Sequence, residues 1–390
     1  MIYSELFDSK ISKLGFGLMR LPLTKDDEVD EAEAEKIIDY AFSEGVNYFD
    51  TAFPYHNGTS ELVAAKILGK YKRESYFLAD KFPGHQYAET YYPQEIFEEQ
   101  LKKCNVDYFD FYLLHNVNED SINIYLDEKW GIIPYFLEQK RLGRIRHLGF
   151  SNHSKPETLR RFLEAAGDSM EFCQIQYNYM DEELQNAKEK YKILEEFNMP
   201  IWVMEPVRGG RLAKENERLR ALRPNESEAS FAFRWLLSKP QVKVILSGMS
   251  NMDQVVDNIK TFNTDKPLNE NELSVLTDIA KAAANEVPCT SCRYCTPHCP
   301  QGLDIPFLLS LYNEAKFEGG LVLSMTIENM PEDKRPSACL ACGECMKICP
   351  QGIEIPKYLK ELSDIYDTLP KWSKLCEERA AAAAALKEGK

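Results

Sequence analysis

The sequence predicts an eight-stranded β/α barrel followed by a small, mainly helical module, and three observations carry that prediction. Strand-like runs alternate with amphipathic helical patterns across residues 1–265. No Gly-x-Gly-x-x-Gly follows the first run, so the open doubly wound sheet lacks its usual mark. Eight of the 11 cysteines fall in two copies of one spacing near the end of the chain.

The apolar or β-branched runs come in order as KLGFGL, VNYFD, SYFLADKF, FDFYLLH, IRHLGFS, EFCQIQY, PIWVME and VKVILSG. Between them lie EAEAEKIIDYAFSEG, SELVAAKILGKY, QEIFEEQLKKC, KPETLRRFLEAAG, ELQNAKEKYKILEEF and ESEASFAFRWLLSK, whose apolar residues recur at helical spacing. Strands separated by helices must run parallel, and eight of them close into a barrel whose active site lies at the carboxyl ends of the strands. The second run ends at Asp50, with Tyr55 shortly after. The third gives Lys81 and the fourth His115. The fifth gives Ser151 and Asn152, and the sixth Gln174. The seventh enters EPVRGGRL and the eighth SGMSN. Singly, such residues are more often caps or satisfied structural groups. Their convergence on one rim favours chemistry.

From Cys289 the chain reads CTSCRYCTPHCPQGLDIP, and from Cys339 it reads CLACGECMKICPQGIEIP. Both fit C-x2-C-x2-C-x3-C-P. Three thiolates at x2 intervals suit adjacent corners of an iron–sulfur cube. In two-cluster ferredoxins the fourth reaches the other cluster. Cys289, Cys292 and Cys295 are therefore expected to share one [4Fe–4S] cluster with Cys349. Cys339, Cys342 and Cys345 would share the second with Cys299. Zinc also uses C-x2-C, but rarely needs the third cysteine and the trailing Cys-Pro. Gly302 and Gly352 are expected to let the chain fold back after each motif. The segments PFLLSLYNEAKFEGG and LVLSMTIENM between the motifs have helical spacing, so the module is expected over 289–370 as a helical two-cluster type. Cys104, Cys173 and Cys376 stand alone, and residues 371–390 read as a tail.

Four segments in order, GVNYFDTAFPYHNGTSE, LADKFP, VDYFDFYLLH and GRIRHLGFSN, resemble the signatures of the aldo-keto reductase superfamily over about residues 10–265. The whole chain resembles its bacterial and archaeal subgroup with a C-terminal double [4Fe–4S] domain. The resemblance implies a catalytic tetrad of Asp50, Tyr55, Lys81 and His115. Tyr55 would be the general acid, made a better donor by the Lys81 ammonium, with Asp50 holding Lys81 and His115 steadying the substrate oxygen. It implies that Ser151, Asn152 and Gln174 hold a nicotinamide carboxamide, and that the backbone from Val207 through Gly209 to Leu212 cradles a diphosphate. Gly17 and Met19 join that cofactor set. Met204 stands where many relatives stack an aromatic ring on the nicotinamide. Gly248 and Gln254 stand where others offer a lysine and an arginine to the NADP 2′-phosphate. Asp257 and Asn258 fit the adenine-contacting end. The cofactor is thus expected as NADPH by family, with NADH open because two cations are missing.

The segment TDKPLNENELSVLTDIAKAAANEVP reads as a helical linker over 266–288 that docks the second module on the barrel. A nicotinamide gives two electrons and each cluster takes one, so a flavin or a ferredoxin-like electron-transfer partner stands as an alternative arrangement. A non-enzymatic electron carrier or redox sensor is the remaining reading, and the intact tetrad argues against it. Barrel-top loops bearing Tyr87, Tyr91, Tyr92, Tyr125 and Trp130 suit either an apolar carbonyl substrate or loop packing. Net charge of −15 argues against nucleic acid or anionic membrane as partner. With no apolar run of spanning or signal length, a cytoplasmic protein is expected.

Overall fold

The computed structural model describes residues 1–86, 90–184, 186–282, 287–318, 321–371 and 373–374. The chain divides into two compact units, Met1–Ala284 and Asn285–Lys390. In the first, a hairpin of β1 (Tyr3–Leu6) and β2 (Ser9–Ser12) precedes the barrel. The eight barrel strands are β3 (Leu14–Gly17), β4 (Tyr48–Asp50), β5 (Phe77–Phe82), β6 (Phe109–Val117), β7 (Ile145–Asn152), β8 (Cys173–Gln176), β9 (Ile201–Met204) and β10 (Val242–Ser247). All pair in parallel, and β10 closes on β3 through Leu246 and Gly15. The hairpin has no counterpart in the sequence reading. Its Ile11 joins the cluster filling the barrel interior with Tyr48, Phe111, Phe172, Trp202 and Val244. Phe172 and Trp202 rings approach to 4.5 Å at the centre.

Helices wrap this barrel because their apolar stripes match its outer surface. The helix Glu31–Ser43 buries Ala34, Ile37, Ile38 and Ala41, and Asp30 caps it by accepting from the Glu33 amide at 3.0 Å. The helix Pro156–Ala166 starts on proline, whose fixed φ suits a first turn, and buries Leu159, Phe162, Leu163 and Ala166. Several helices of this unit were not read from sequence, among them two that flank barrel strands. Ile132–Arg141 hides its stripe behind Pro134 in the first turn, and Met252–Phe262 follows the last strand. The pattern read as one helix over 183–197 is broken at Asn186, where φ is 49°. The expected linker forms the helix Glu270–Ala282, and this helix belongs to the first unit. Leu276 and Ala280 lie in the barrel's outer core, and Arg223 pairs with Glu272. Burying one such leucine is worth roughly 1.5–3 kcal/mol.

The second unit repeats one device. After each Cys-Pro, Gly302 and Gly352 adopt left-handed φ of 57° and 61°. The chain then drops Leu303 and Ile305, or Ile353 and Ile355, into a shared core. The helices Ile305–Glu318 and Ile355–Thr368 follow, and the Tyr312 hydroxyl of one donates to Glu361 of the other. The helices Leu321–Glu328 and Glu344–Ile348 complete it. Cys376 and nearly all of the tail lie outside the described residues.

Candidate active site and thiol-lined hollows

At the carboxyl end of the barrel, β5 carries Lys81 and β4 ends in Asp50, neighbouring strands whose register brings the two side chains together. Lys81 Nζ lies 2.5 Å from Asp50 Oδ1 and donates to the Thr51 carbonyl at 2.7 Å. Its third neighbour is the Tyr55 hydroxyl at 3.4 Å. Tyr55 comes from the tight turn Tyr55–Gly58, where His56 and Asn57 adopt φ of 49° and 55°. Its ring meets His115 edge-on, with centroids 6.1 Å apart. Relative exposures are 1% for Lys81, 2% for Asp50, 8% for Tyr55 and 5% for His115, so the group works in a largely dry environment. His115 lies within β6 rather than at its end, and Gln174 lies within β8, which runs on to Gln176.

That dryness decides the electrostatics. Burial lifts the Asp50 carboxyl above the ordinary carboxylate range against the opposing pull of Lys81. Burial also pushes Tyr55 well above the usual phenol value, helped by the charges of Asp50, Asp80 and Glu205 and opposed by Arg20. This reverses the direction expected from Lys81 alone: desolvation and carboxylates dominate over an ammonium 3.4 Å away. Tyr55 is therefore a neutral phenol that keeps its proton. Burial and the neighbouring His85, Lys81 and His153 hold His115 well below the imidazole range, so it is neutral at pH 7.

Beside the tetrad, Ser151 Oγ accepts from the Asn116 amide at 2.7 Å. Asn152 Nδ2 donates to the Val117 carbonyl and to Ser154. Among the described residues, buried Asn152 Oδ1 and Gln174 Oε1 have no hydrogen-bond partner. Two orphaned acceptors on adjacent strands are suited to the N–H groups of a carboxamide. Met204 ends β9, and the turn after it holds Val207, Gly209 and buried Leu212. Gln254 Oε1 accepts from the Ser250 amide, Asp257 accepts from the Ser227 hydroxyl, and buried Asn258 donates to Ser247 Oγ. Gly17 ends β3, and Met19 sits in the turn after it. Gly248 has no room for a side chain, because a Cβ there would come within 2.9 Å of the Arg20 stem.

Of the loop aromatics, Tyr125 is buried and donates to the His115 carbonyl at 2.5 Å, so it braces the site. Tyr91 and Trp130 pack edge-to-face at 5.2 Å, Tyr92 is exposed, and Tyr87 lies outside the described residues. Sequence reasoning missed Arg20, Glu205, Asp181 and Arg208, which form a polar band at the same rim. It also missed Glu61 and Asp80, both fully buried behind Lys81. Burial and the neighbouring Glu61 push the Asp80 carboxyl far up. Only the polarity of the strand ends hinted at any of these.

In the second unit, one hollow of about 310 Å³ is lined by Cys289, Cys292, Cys295 and Cys349. Another of about 330 Å³ is lined by Cys299, Cys339, Cys342 and Cys345. Among the described residues no three His, Cys, Asp or Glu side chains converge to hold a single ion. Each hollow is instead lined by three cysteines of one motif and the fourth of the other.

Comparison with known proteins agrees with this division. The Aldo/keto reductase family matches residues 13–233, and the 4Fe-4S dicluster domain matches residues 288–354. A probable aldo-keto reductase of Glycine max is 32% identical over 160 residues, 39% of this chain and 44% of its own length. An uncharacterized oxidoreductase of Bacillus subtilis is 26% identical over 305 residues, 69% of this chain and 92% of its own. The holo form of an aldo-keto reductase from Bacillus halodurans has a TM-score of 0.58 at 27% identity, over 72% of this chain and 95% of that one. An aldo/keto reductase from Klebsiella pneumoniae, in complex with NADP and acetate, shares the fold with a TM-score of 0.58 at 18% identity, over 71% and 95%.

Proposed function

The chain belongs to the aldo/keto reductase family, and from that premise we propose that this oxidoreductase reduces an aldehyde or ketone with NADPH or NADH through Tyr55. The observation that carries the reading is the buried group in which Lys81 Nζ lies 2.5 Å from Asp50 and 3.4 Å from the Tyr55 hydroxyl, with His115 alongside. The dinucleotide, when bound, supplies hydride to the carbonyl carbon. Tyr55 gives its proton to the carbonyl oxygen as charge develops there. Lys81 then stabilises the tyrosinate left behind, and the Asp50 carboxyl and the Thr51 carbonyl fix the ammonium in place. Neutral His115 orients the carbonyl oxygen and keeps water from competing for it. Asn152 and Gln174 would receive the carboxamide, which fits their orphaned oxygens. The complex of the Klebsiella relative with NADP supports the choice of cofactor class.

The second unit is proposed to hold two [4Fe–4S] clusters, one on Cys289, Cys292, Cys295 and Cys349, the other on Cys299, Cys339, Cys342 and Cys345. The two thiol-lined hollows support that division, and the clusters would supply one-electron exchange.

The test is Tyr55→Phe in the full chain, assayed against a panel of aldehydes and ketones with both nucleotides. Loss of carbonyl reduction by a factor of roughly 10²–10⁴ with nucleotide binding intact is expected. Unchanged turnover of every carbonyl reduced by the wild type would remove Tyr55 from the reaction.

A further inference from the structure

The turn after β9 already carries an anion of its own. Glu205, Arg208, Gly209 and Gly210 have left-handed φ of 54°, 49°, 64° and 90°. For the two residues with side chains this costs roughly 1–2 kcal/mol each, so something holds the turn in shape. Backbone turned this way directs N–H groups into a common concavity that suits anions. Here the Gly209 amide donates to Glu205 Oε2 at 2.5 Å. The other oxygen, Oε1, accepts from Arg20 Nη2 at 3.2 Å. Arg208, the next guanidinium in the turn, is buried 3.1 Å from Asp181, and its Nη2 has no hydrogen-bond acceptor among the described residues.

Arg20 reaches this turn from the carboxyl end of β3, with β10 alone between that strand and β9. It ends the short turn after β3, and its carbonyl accepts from Ser250 Oγ at 2.7 Å. Its stem lies over Gly248, which explains why position 248 has no side chain. The stem of a cation from a different strand end thus fills the space at 248, and Glu205 pairs with its guanidinium.

We propose that Glu205 and Arg20 form a latch across the cofactor cleft: the Glu205 carboxylate holds the place of the dinucleotide's diphosphate, which on binding displaces it and takes over Arg20 and the Gly209 amide. The proposal rests on the reductase reading and adds two residues to its cofactor site. The Gly209 amide has one N–H to give, so a diphosphate that takes it must break that Glu205 contact, and the carboxylate then no longer lies between Arg20 and the incoming anion. Until then, the paired Arg20 is shielded from other anions.

The experiment titrates NADPH and NADH into full-length wild type, Glu205→Gln, Glu205→Ser and Arg20→Met, following nucleotide fluorescence, with a melting curve for each. Roughly tenfold tighter binding is expected for both Glu205 variants, and roughly tenfold weaker binding for Arg20→Met. Inorganic pyrophosphate should compete with nucleotide more strongly in Glu205→Gln than in wild type, which a mere brace for the turn would not produce. Binding by the Glu205 variants that is equal to or weaker than wild type, with all proteins folded, would overturn the latch and leave the reductase reading standing. No nucleotide binding by any of the four folded proteins would take down the reductase reading and the latch together.

Discussion

Tyr55 must hold a proton at neutral pH and yet release it within one catalytic step, and its neighbours serve both ends. Burial with nearby Asp50, Asp80 and Glu205 keeps the phenol neutral, while Lys81 is placed to receive the tyrosinate. Tyr55→Phe should therefore leave the melting temperature close to wild type, since the hydroxyl's contact with Lys81 is long. Lys81→Met should be different. Removing one partner of a buried ion pair costs about 3–5 kcal/mol, so this variant should melt markedly lower as well as lose activity. Equal melting of the two variants in a thermal scan would contradict that assignment. Burial also pushes His85 to about 4 and His153 to about 3, and holds His115 low. The unfolded chain takes up protons on these rings below about pH 6.5, whereas the folded chain does not. Stability is thus predicted to fall as pH drops from about 6.5 towards 4, and His85→Gln should flatten the dependence of melting on pH. A steeper slope for that variant would contradict it. The four residues nominated by strand ends and family motifs lie within one buried cluster. The Arg20–Glu205 pair was not legible, because its partners are 185 positions apart and each reads as an ordinary surface charge. Nor was the lift on Tyr55, which depends on carboxylates that sequence does not place around it.

Alternation of strand and helix made the barrel legible, since each period signals one face to be buried. What failed were the elements without that signal. The hairpin Tyr3–Ser12 uses strands of four residues, and Ile132–Arg141 begins IIP, where proline conceals the helical repeat. In the second unit the repeated spacing carried more than any propensity. The fourth cysteine of each motif lines the hollow of the other motif's three, an exchange that the Cys-Pro turn and left-handed Gly302 and Gly352 help direct. Iron counting tests it. Cys295→Ala with Cys349→Ala should leave about four irons of eight, because both changes strike one cluster. Cys295→Ala with Cys299→Ala should leave almost none. The opposite pattern would show that each motif keeps its own four cysteines.

The molecule joins a two-electron site to a domain built for single electrons. Its charge of −15 disfavours polyanionic partners, and among the described residues no helix is long and apolar enough to cross a membrane. Where the hydride goes is therefore the question for the chain as a whole. If carbonyl reduction is direct, the clusters stay out of the turnover and serve structure or another partner. If electrons divide onto the clusters, a mediator such as a flavin has to lie between. One measurement separates these. Anaerobic full-length protein with its clusters intact is mixed with nicotinamide nucleotide deuterated at the transferred position and with a carbonyl compound that it reduces. Cluster absorption and the alcohol product are then followed together. The account predicts deuterium on the carbinol carbon, an unchanged cluster spectrum, and loss of the labelled product in Tyr55→Phe. Bleaching of the clusters with deuterium lost to solvent would contradict it.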